Sequence, residues 1–290
     1  MTTESTARSR NRLALLALLI LPLGWMTVFY LIPIGVLLAH AFFSVKYPDI
    51  DYHLTLKNLH TIASTPLYAR VFLRTVVIAA TVTVLCTVLA LPVAFWLAKR
   101  VQRNRELLLF LVIFPLWSSY LIRIFAWKTL LGTSGILNSF LQWAHITDQP
   151  LSFLLYSRWA VILALTHIWL PFMILPLYTV LDRIPNSLLE AATDLGAGWF
   201  AIFRTVILPL ARPGLLAGSL ATFRLTMGDY IAPTLLGGPG DQMFGKLIAD
   251  QFGVANNWPL GAMLIIPVLI LISTLLFVSN RTGAMDRTAT

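Results

Sequence analysis

Residues 75–98 read TVVIAATVTVLCTVLALPVAFWLA, 24 positions without a formal charge. A helix rising about 1.5 Å per residue carries such a run ~36 Å, enough to cross the roughly 30 Å hydrocarbon core of a bilayer. Backbone in hydrocarbon has to satisfy its own hydrogen bonds, so the stretch reads as a transmembrane helix. Working outward, residues 13–45 and 159–181 are also free of charge, and residues 251–280 contain an apolar core at 259–278. Two further runs are interrupted: 107–131 carries Arg123 and Lys128, and 213–235 carries Arg224 and Asp229. Over the 290 residues, 58% are hydrophobic and 11% charged, against roughly 25% charged in a soluble domain. The expectation is an all-α polytopic membrane protein forming one domain over 1–290. Its six spans are set at about 13–42, 71–98, 107–131, 159–181, 213–235 and 259–279.

Charge in the loops sets the orientation. Arg8, Arg10 and Arg12 precede the first span; Lys99, Arg100, Arg103 and Arg105 separate the second and third; Arg183, Arg204 and Arg212 separate the fourth and fifth; Arg281 and Arg287 follow the sixth. The opposite loops hold only Lys46, Lys57, Arg70, Arg158 and Lys246. Both termini are therefore expected in the cytoplasm. The net charge of +9 is mostly this bias, so no nucleic-acid partner is read from it. The Arg-rich start and Ala39-His40-Ala41 superficially match a secretory signal, but the apolar run is about twice the 7–15 residues of such a signal. A single cysteine, Cys86, excludes a disulfide framework or a cysteine metal site. Pro92, Pro115, Pro171, Pro176 and Pro267 lie within spans, where some should kink the helix. Gly214 and Gly218 open the fifth span with a small-xxx-small pattern that lets two helices approach closely.

The longest loop on the cytoplasmic side, residues 182–212, is not a simple connector. Ser187 and Glu190 have capping-box spacing and predict a helix start. Leu188, Leu189, Ala192 and Leu195 recur with helical period, while Glu190 and Asp194 form a polar strip. Gly196 and Gly198 permit a sharp turn. A second amphipathic segment follows from Trp199, with Phe200, Phe203, Val206, Ile207 and Leu210 on its apolar side. Pro209 and Pro213 mark the return to the membrane.

These residues resemble a specific signature. Glu190-Ala191-Ala192, then Gly196, then Val206-Ile207-Leu208-Pro209 is similar to the EAA motif of ATP-binding-cassette importer permeases, with Val206 where isoleucine is usual. "FPLWSSYLIRIFAWKTLLGTSGILN", "LPFMILPLY" and "MGDYIAPTLLGGPGDQMFGKLI" resemble the spermidine/putrescine-type subfamily, and the likeness covers nearly the whole chain. The resemblance implies a type I importer permease fold with six spans and a cytoplasmic coupling helix that docks on an ATPase subunit. On that basis Ser187, Glu190, Ala191, Ala192, Asp194, Gly196, Leu208 and Pro209 are the expected ATPase-coupling residues. The implied partners are a second permease subunit, two ATP-binding-cassette ATPases, an extracytoplasmic solute-binding protein and membrane lipid. No cofactor is expected in this chain, and ATP with magnesium belongs to the partner ATPase. The chain would be a transport subunit rather than an enzyme, multi-pass in a bacterial plasma membrane, moving a small polar solute such as a polyamine or a related amine, opine or phosphonate. The alternative is a secondary transporter driven by an ion gradient; the single structured cytoplasmic loop argues against it, because inverted-repeat carriers show hydropathy symmetry between halves.

Other signals carry less. Residues 240–246 match GxxxxGK, but Leu247 replaces the Ser or Thr that would meet magnesium, no strand precedes the loop, and the topology puts it outside the cell. There is no HExxH and no GxSxG, and no metal site is expected. Ionisable groups within spans face interior cavities and mark function. Arg224, Asp229, Tyr230 and His167 are therefore the substrate-path candidates, with Asp229 and Tyr230 toward the outer mouth of a continuous fifth span. Five residues apart on a helix, Arg224 and Asp229 point about 140° from each other and should not pair. In the resembled subfamily the Arg224 position is usually apolar; a bare guanidinium on the path would repel a polyamine and attract a carboxylate or phosphonate. His167 is read first as a hydrogen-bonded packing residue, and Arg123 and Lys128 as structural residues whose stems lift their charges toward the interface.

Overall fold

The computed structural model describes residues 18–46 and 49–287, with side chains to residue 281. Arg8, Arg10, Arg12 and the first residues of the expected first span lie outside the described residues, as does the Arg287 side chain. Contacts divide the chain into two units, Met1–Ser64 with Gln251–Ile266, and Thr65–Asp250 with Pro267–Thr290. Among the described residues, five helices are long and apolar enough to span a membrane, and six spans result when one sharply bent pair is counted as one.

The first unit contains α1, Leu18–His40, which widens to a π-turn at Thr27–Leu31. Pro33 two residues on has no amide to donate, and a locally rewound ladder absorbs the loss. A short antiparallel hairpin follows, β1 (Ser44–Lys46) against β2 (Asp49–Asp51), with Val45 paired to Ile50. The sequence gives no reason to expect these strands; they lie after the end of α1. Helix α2, Lys57–Ser64, is tied back by Asn58, which is buried and donates through Nδ2 to the carbonyls of Ala41 (3.0 Å) and Phe43 (2.8 Å). Ala41 packs with Ala262 and Met263.

The second unit is built on α3 (Pro66–Lys99), α7 (Arg158–Asp182) and α9 (Trp199–Met227). Helix α3 buries Ile78, Val82, Cys86, Ala90, Ala94 and Leu97, a stripe at intervals of four and three residues that faces one side. Helix α7 is central. Its start is fixed by Ser157, whose Oγ accepts from the Ala160 amide at 3.2 Å, satisfying one of the donors a helix start leaves open. Both α3 and α9 pack along it, and α9 also meets α3. Lipid tails are as apolar as leucine, so contact at van der Waals distance, rather than escape from water, holds such helices together. Gly214 and Gly218 provide that contact: a Cβ on Gly214 would lie 2.8 Å from the Pro176 carbonyl oxygen, and one on Gly218 would lie 2.6 Å from Met173 Sδ.

Two expected spans are broken. The third is not a continuous helix over 107–131. Helix α4 (Arg105–Ile113) tightens into a 3-10 turn at Phe114–Trp117, and the chain restarts at α5 (Tyr120–Leu131) and α6 (Ile136–Trp143). The segments on either side of the break meet at 90°. Pro115 sits in the turn, and Ser118 then leaves the helical region with φ −78° and ψ 148°. The fifth span likewise does not run continuously over 213–235. Helix α9 starts earlier and stops at Met227, and after Gly228-Asp229-Tyr230 the short α10 (Ile231–Leu236) begins. After α10 come α11 (Phe244–Phe252) and α12 (Trp258–Arg287).

Candidate functional site

Two places carry the polar chemistry of the second unit. The first is the hairpin between α7 and α9. Its first limb is α8, Asn186–Asp194. The capping box is not formed: Pro185 takes the N-cap position with φ −62° and ψ 138°, and no side chain caps the helix. Proline presets the extended entry and starts the helix one residue before Ser187 can act as cap. The turn is as expected, with Gly196 at φ +81°, a conformation that favours glycine.

The root of the hairpin is held from several sides. The Lys99 ammonium, at the end of α3, donates to the Ile184 carbonyl, and the Arg105 guanidinium pairs with the Asp182 carboxylate. Arg105 also lies over the Tyr178 ring, 4.9 Å from its centroid, and Phe95 meets Trp199 edge-to-face at 5.2 Å. A cleft of about 410 Å³ between the end of α3 and the hairpin is lined by Phe95, Lys99, Glu190, Asp194 and Trp199. Leu189, Ala192 and Ala197 pack on the core, while Glu190, Ala191 and Asp194 are exposed.

The apolar face of the second limb differs from the sequence reading. Ile202 and Ile207 are buried, Phe203 and Val206 pack beside them, but Phe200 is 73% exposed and Leu210 is exposed too. Residues Phe203–Ile207 form a π-turn, whose extra residue shifts every later side chain around the axis. Leu208 and Pro209 follow it, half-buried, and Pro209 supplies the missing amide that makes a widened turn favourable. Together with Leu188 and Leu195, the latter 89% exposed, Phe200 leaves the hairpin with an apolar outer surface rimmed by carboxylates.

The second place joins the two broken spans. Asp229 is buried, its Oδ1 accepts from the Ala232 amide at 2.9 Å, and the Tyr120 hydroxyl donates to Oδ2. The carboxylate thus restarts the chain at α10 and fastens it to the first residue of α5. Tyr120 stacks on Trp169 at 5.5 Å with 12° between the rings, and Arg123 sits 5.9 Å from the Tyr120 ring centre. The Nε atoms of Arg123 and Trp169 (Nε and Nε1) are buried without a hydrogen-bond partner among the described residues. Lys128 lies over Tyr156, and the Trp127 indole donates to His167 Nδ1 at 3.3 Å, so His167 is hydrogen-bonded. Of the four path candidates, Asp229 is inside this cluster while Tyr230, His167 and Arg224 are exposed. Arg224 and Asp229 do not pair. Tyr120, Lys99, Arg105 and Asp182 escape sequence reasoning, because nothing in local spacing says that residues 109 positions apart, as Tyr120 and Asp229 are, will meet.

Apolar spans, one of them a helix pair bent by 90°, and a structured hairpin off one end define a polytopic membrane permease. A break within a span is tolerated only where protein or a water-lined path covers it. Residues 90–287 match the binding-protein-dependent transport system inner membrane component family, and the chain belongs to that family. It is 38% identical over 263 residues to the spermidine/putrescine transport system permease protein PotB of Haemophilus influenzae, covering 90% of this chain and 91% of that one. It is 36% identical to PotB of Escherichia coli K12, over 90% of this chain and 95% of that one. To the E. coli inner membrane ABC transporter permease protein YdcU it is 36% identical over 289 residues, covering 94% and 91%. The fold is shared with a chain of a bacterial ABC transporter that imports the acidic polysaccharide alginate, at TM-score 0.75 and 17% identity, over 97% of this chain and 99% of that one. A chain of the inward-facing MetNI methionine transporter superposes at TM-score 0.54 and 20% identity, over 77% and 96%. The protein is therefore an inner-membrane permease subunit of an ATP-driven importer, with the type I fold.

Proposed function

We propose that this permease imports a polyamine-class solute, and that the hairpin over 182–212 receives the movement of a partner ATPase. The substrate reading rests on 36–38% identity to the PotB permeases over 90% of the chain. In this reading the whole chain works as one permease domain with both termini in the cytoplasm. It assembles with a second permease subunit, two ATPases that bind ATP and magnesium, and an extracytoplasmic solute-binding protein. Glu190, Ala191, Asp194 and Gly196 present the hairpin to the ATPase; Ser187 lies on its exposed first turn, while Ala192, Leu208 and Pro209 seat it on the bundle. An exposed apolar patch with a charged rim has the composition of a protein-docking surface. The solute path runs beside Asp229 and Tyr230, whose carboxylate and ring suit an ammonium group.

Arg224 is the one observation that favours an anionic solute, since an unpaired guanidinium on the path would repel a polyamine. Reconstitution of the full assembly in proteoliposomes decides between these readings. Labelled spermidine is expected to enter only with the binding protein outside and ATP within. ATP-driven uptake of a phosphonate or opine without spermidine uptake would refute the polyamine reading, and uptake by this chain alone on an ion gradient would refute the importer mechanism.

A further inference from the structure

Arg224 lies three residues before the end of α9, within a candidate membrane span. Its side chain is exposed, and among the described residues its guanidinium has no ion pair, hydrogen bond or ring contact. Three arginines elsewhere in the second unit do have partners: Arg105 has Asp182, Arg158 has Asp241, and Arg123 has the Tyr120 ring. An ionised group within a span needs an opposite charge or water. The groove beside it, about 210 Å³, offers no opposite charge: Ala217, Leu220, Ala221 and Phe223 on α9 and Leu275 and Leu276 on α12 line it. Ala217, Ala221 and Arg224 recur at i, i+4 and i+7, which places them on one face of α9. Two small residues a turn apart let another helix approach closely, and the arginine at the end of the stripe then meets whatever that helix carries.

From this geometry we infer that the α9–α12 groove seats a transmembrane helix of the second permease subunit, and that this helix carries an aspartate or glutamate that pairs with Arg224. The inference rests on the reading that a second permease is present. It also removes the conflict with a cationic solute, because a neutralised guanidinium no longer opposes passage of a polyamine. Arginine suits the role because its planar fork can hold a carboxylate through two parallel hydrogen bonds.

The test starts from the intact complex, purified through a tag on this chain, with the second permease measured against it. Arg224→Glu should lower the co-purified second permease at least ~10-fold, as expected when one partner of a desolvated pair is reversed. Arg224→Lys should retain most of it. In the Arg224→Glu background, replacing one intramembrane acid of the second permease with lysine should restore assembly. Membrane level of the tagged chain, equal in all variants, separates lost pairing from lost folding; if Arg224→Glu fails to accumulate, Arg224→Leu with the same acid changed to leucine gives the equivalent cycle. Full assembly of Arg224→Glu and Arg224→Leu would overturn the inference. So would intact assembly with uptake shifted between anionic and cationic solutes, which would place Arg224 on the path. Absence of any second permease from the wild-type preparation would instead refute the underlying reading.

Discussion

Replacing Gly214 by alanine tests the contact on which the bundle depends. The added Cβ would stand 2.8 Å from the Pro176 carbonyl oxygen and 3.1 Å from Leu177 Cα, both backbone atoms of α7, where ordinary contact begins at 3.4 Å. Helices α7 and α9 would have to part by about 0.6 Å, and forcing extra carbon into a packed interface costs ~1–3 kcal/mol. With tenfold in an equilibrium per about 1.4 kcal/mol, the folded-to-unfolded ratio falls roughly 5- to 150-fold. Gly214→Val should cost more again. Gly218→Ala should cost less, because its nearest obstacle is the Met173 sulfur at 2.6 Å, the end of a side chain with three rotatable bonds. Thermal unfolding of the purified permease, followed by loss of monodisperse protein, ranks the three variants. Wild-type melting by both Gly214→Ala and Gly214→Val would refute the close packing of α7 and α9.

Gly196→Val puts a β-branched residue at φ +81° and should abolish solute-stimulated ATPase activity of the complex while the chain still inserts; unchanged stimulation would remove the hairpin from the coupling route. Tyr120→Phe strips Asp229 Oδ2 of its donor and should destabilise the permease by ~1–3 kcal/mol, with Asp229→Asn partly relieving the defect; thermal unfolding of the single and double variants reads the coupling. Asn58→Ala leaves the Ala41 and Phe43 carbonyls without their partner and should cost about 1–3 kcal/mol, visible as faster proteolysis around α2. Arg158→Ala removes an exposed pair with Asp241, at 3.1 Å, and should change melting by less than ~1 kcal/mol, the difference vanishing in high salt.

Length and hydropathy reveal the spans because a membrane enforces them: residues 75–98 can do little else, and α3 extends that run only to Pro66 and Lys99. The Gly214 and Gly218 pattern also reads correctly, since the absence of a side chain has one main use in a helix of this kind. What stays hidden is where a helix stops within an apolar run. Gly228 and Asp229 look like a glycine and an acid in an apolar run, and only the arrival of Tyr120 from another span shows that the acid caps a new helix. The same holds for the hairpin. Its turn at Gly196 is local and legible, whereas Pro185 displacing Ser187 at the cap, and a π-turn over Phe203–Ile207 rotating Leu210 outward, depend on how the limbs return to the bundle.

The glycine contact between α7 and α9 has a mechanical side. Only residues 183–185 separate α7 from α8, and α9 begins directly after Gly198, so the hairpin is a crank rooted in two rods clamped backbone to backbone. At about 1.5 Å per residue the 29-residue α9 is ~43 Å long. A sideways nudge of about 3 Å at its foot would tilt it by roughly 4°, with little slack along the shaft to swallow the stroke.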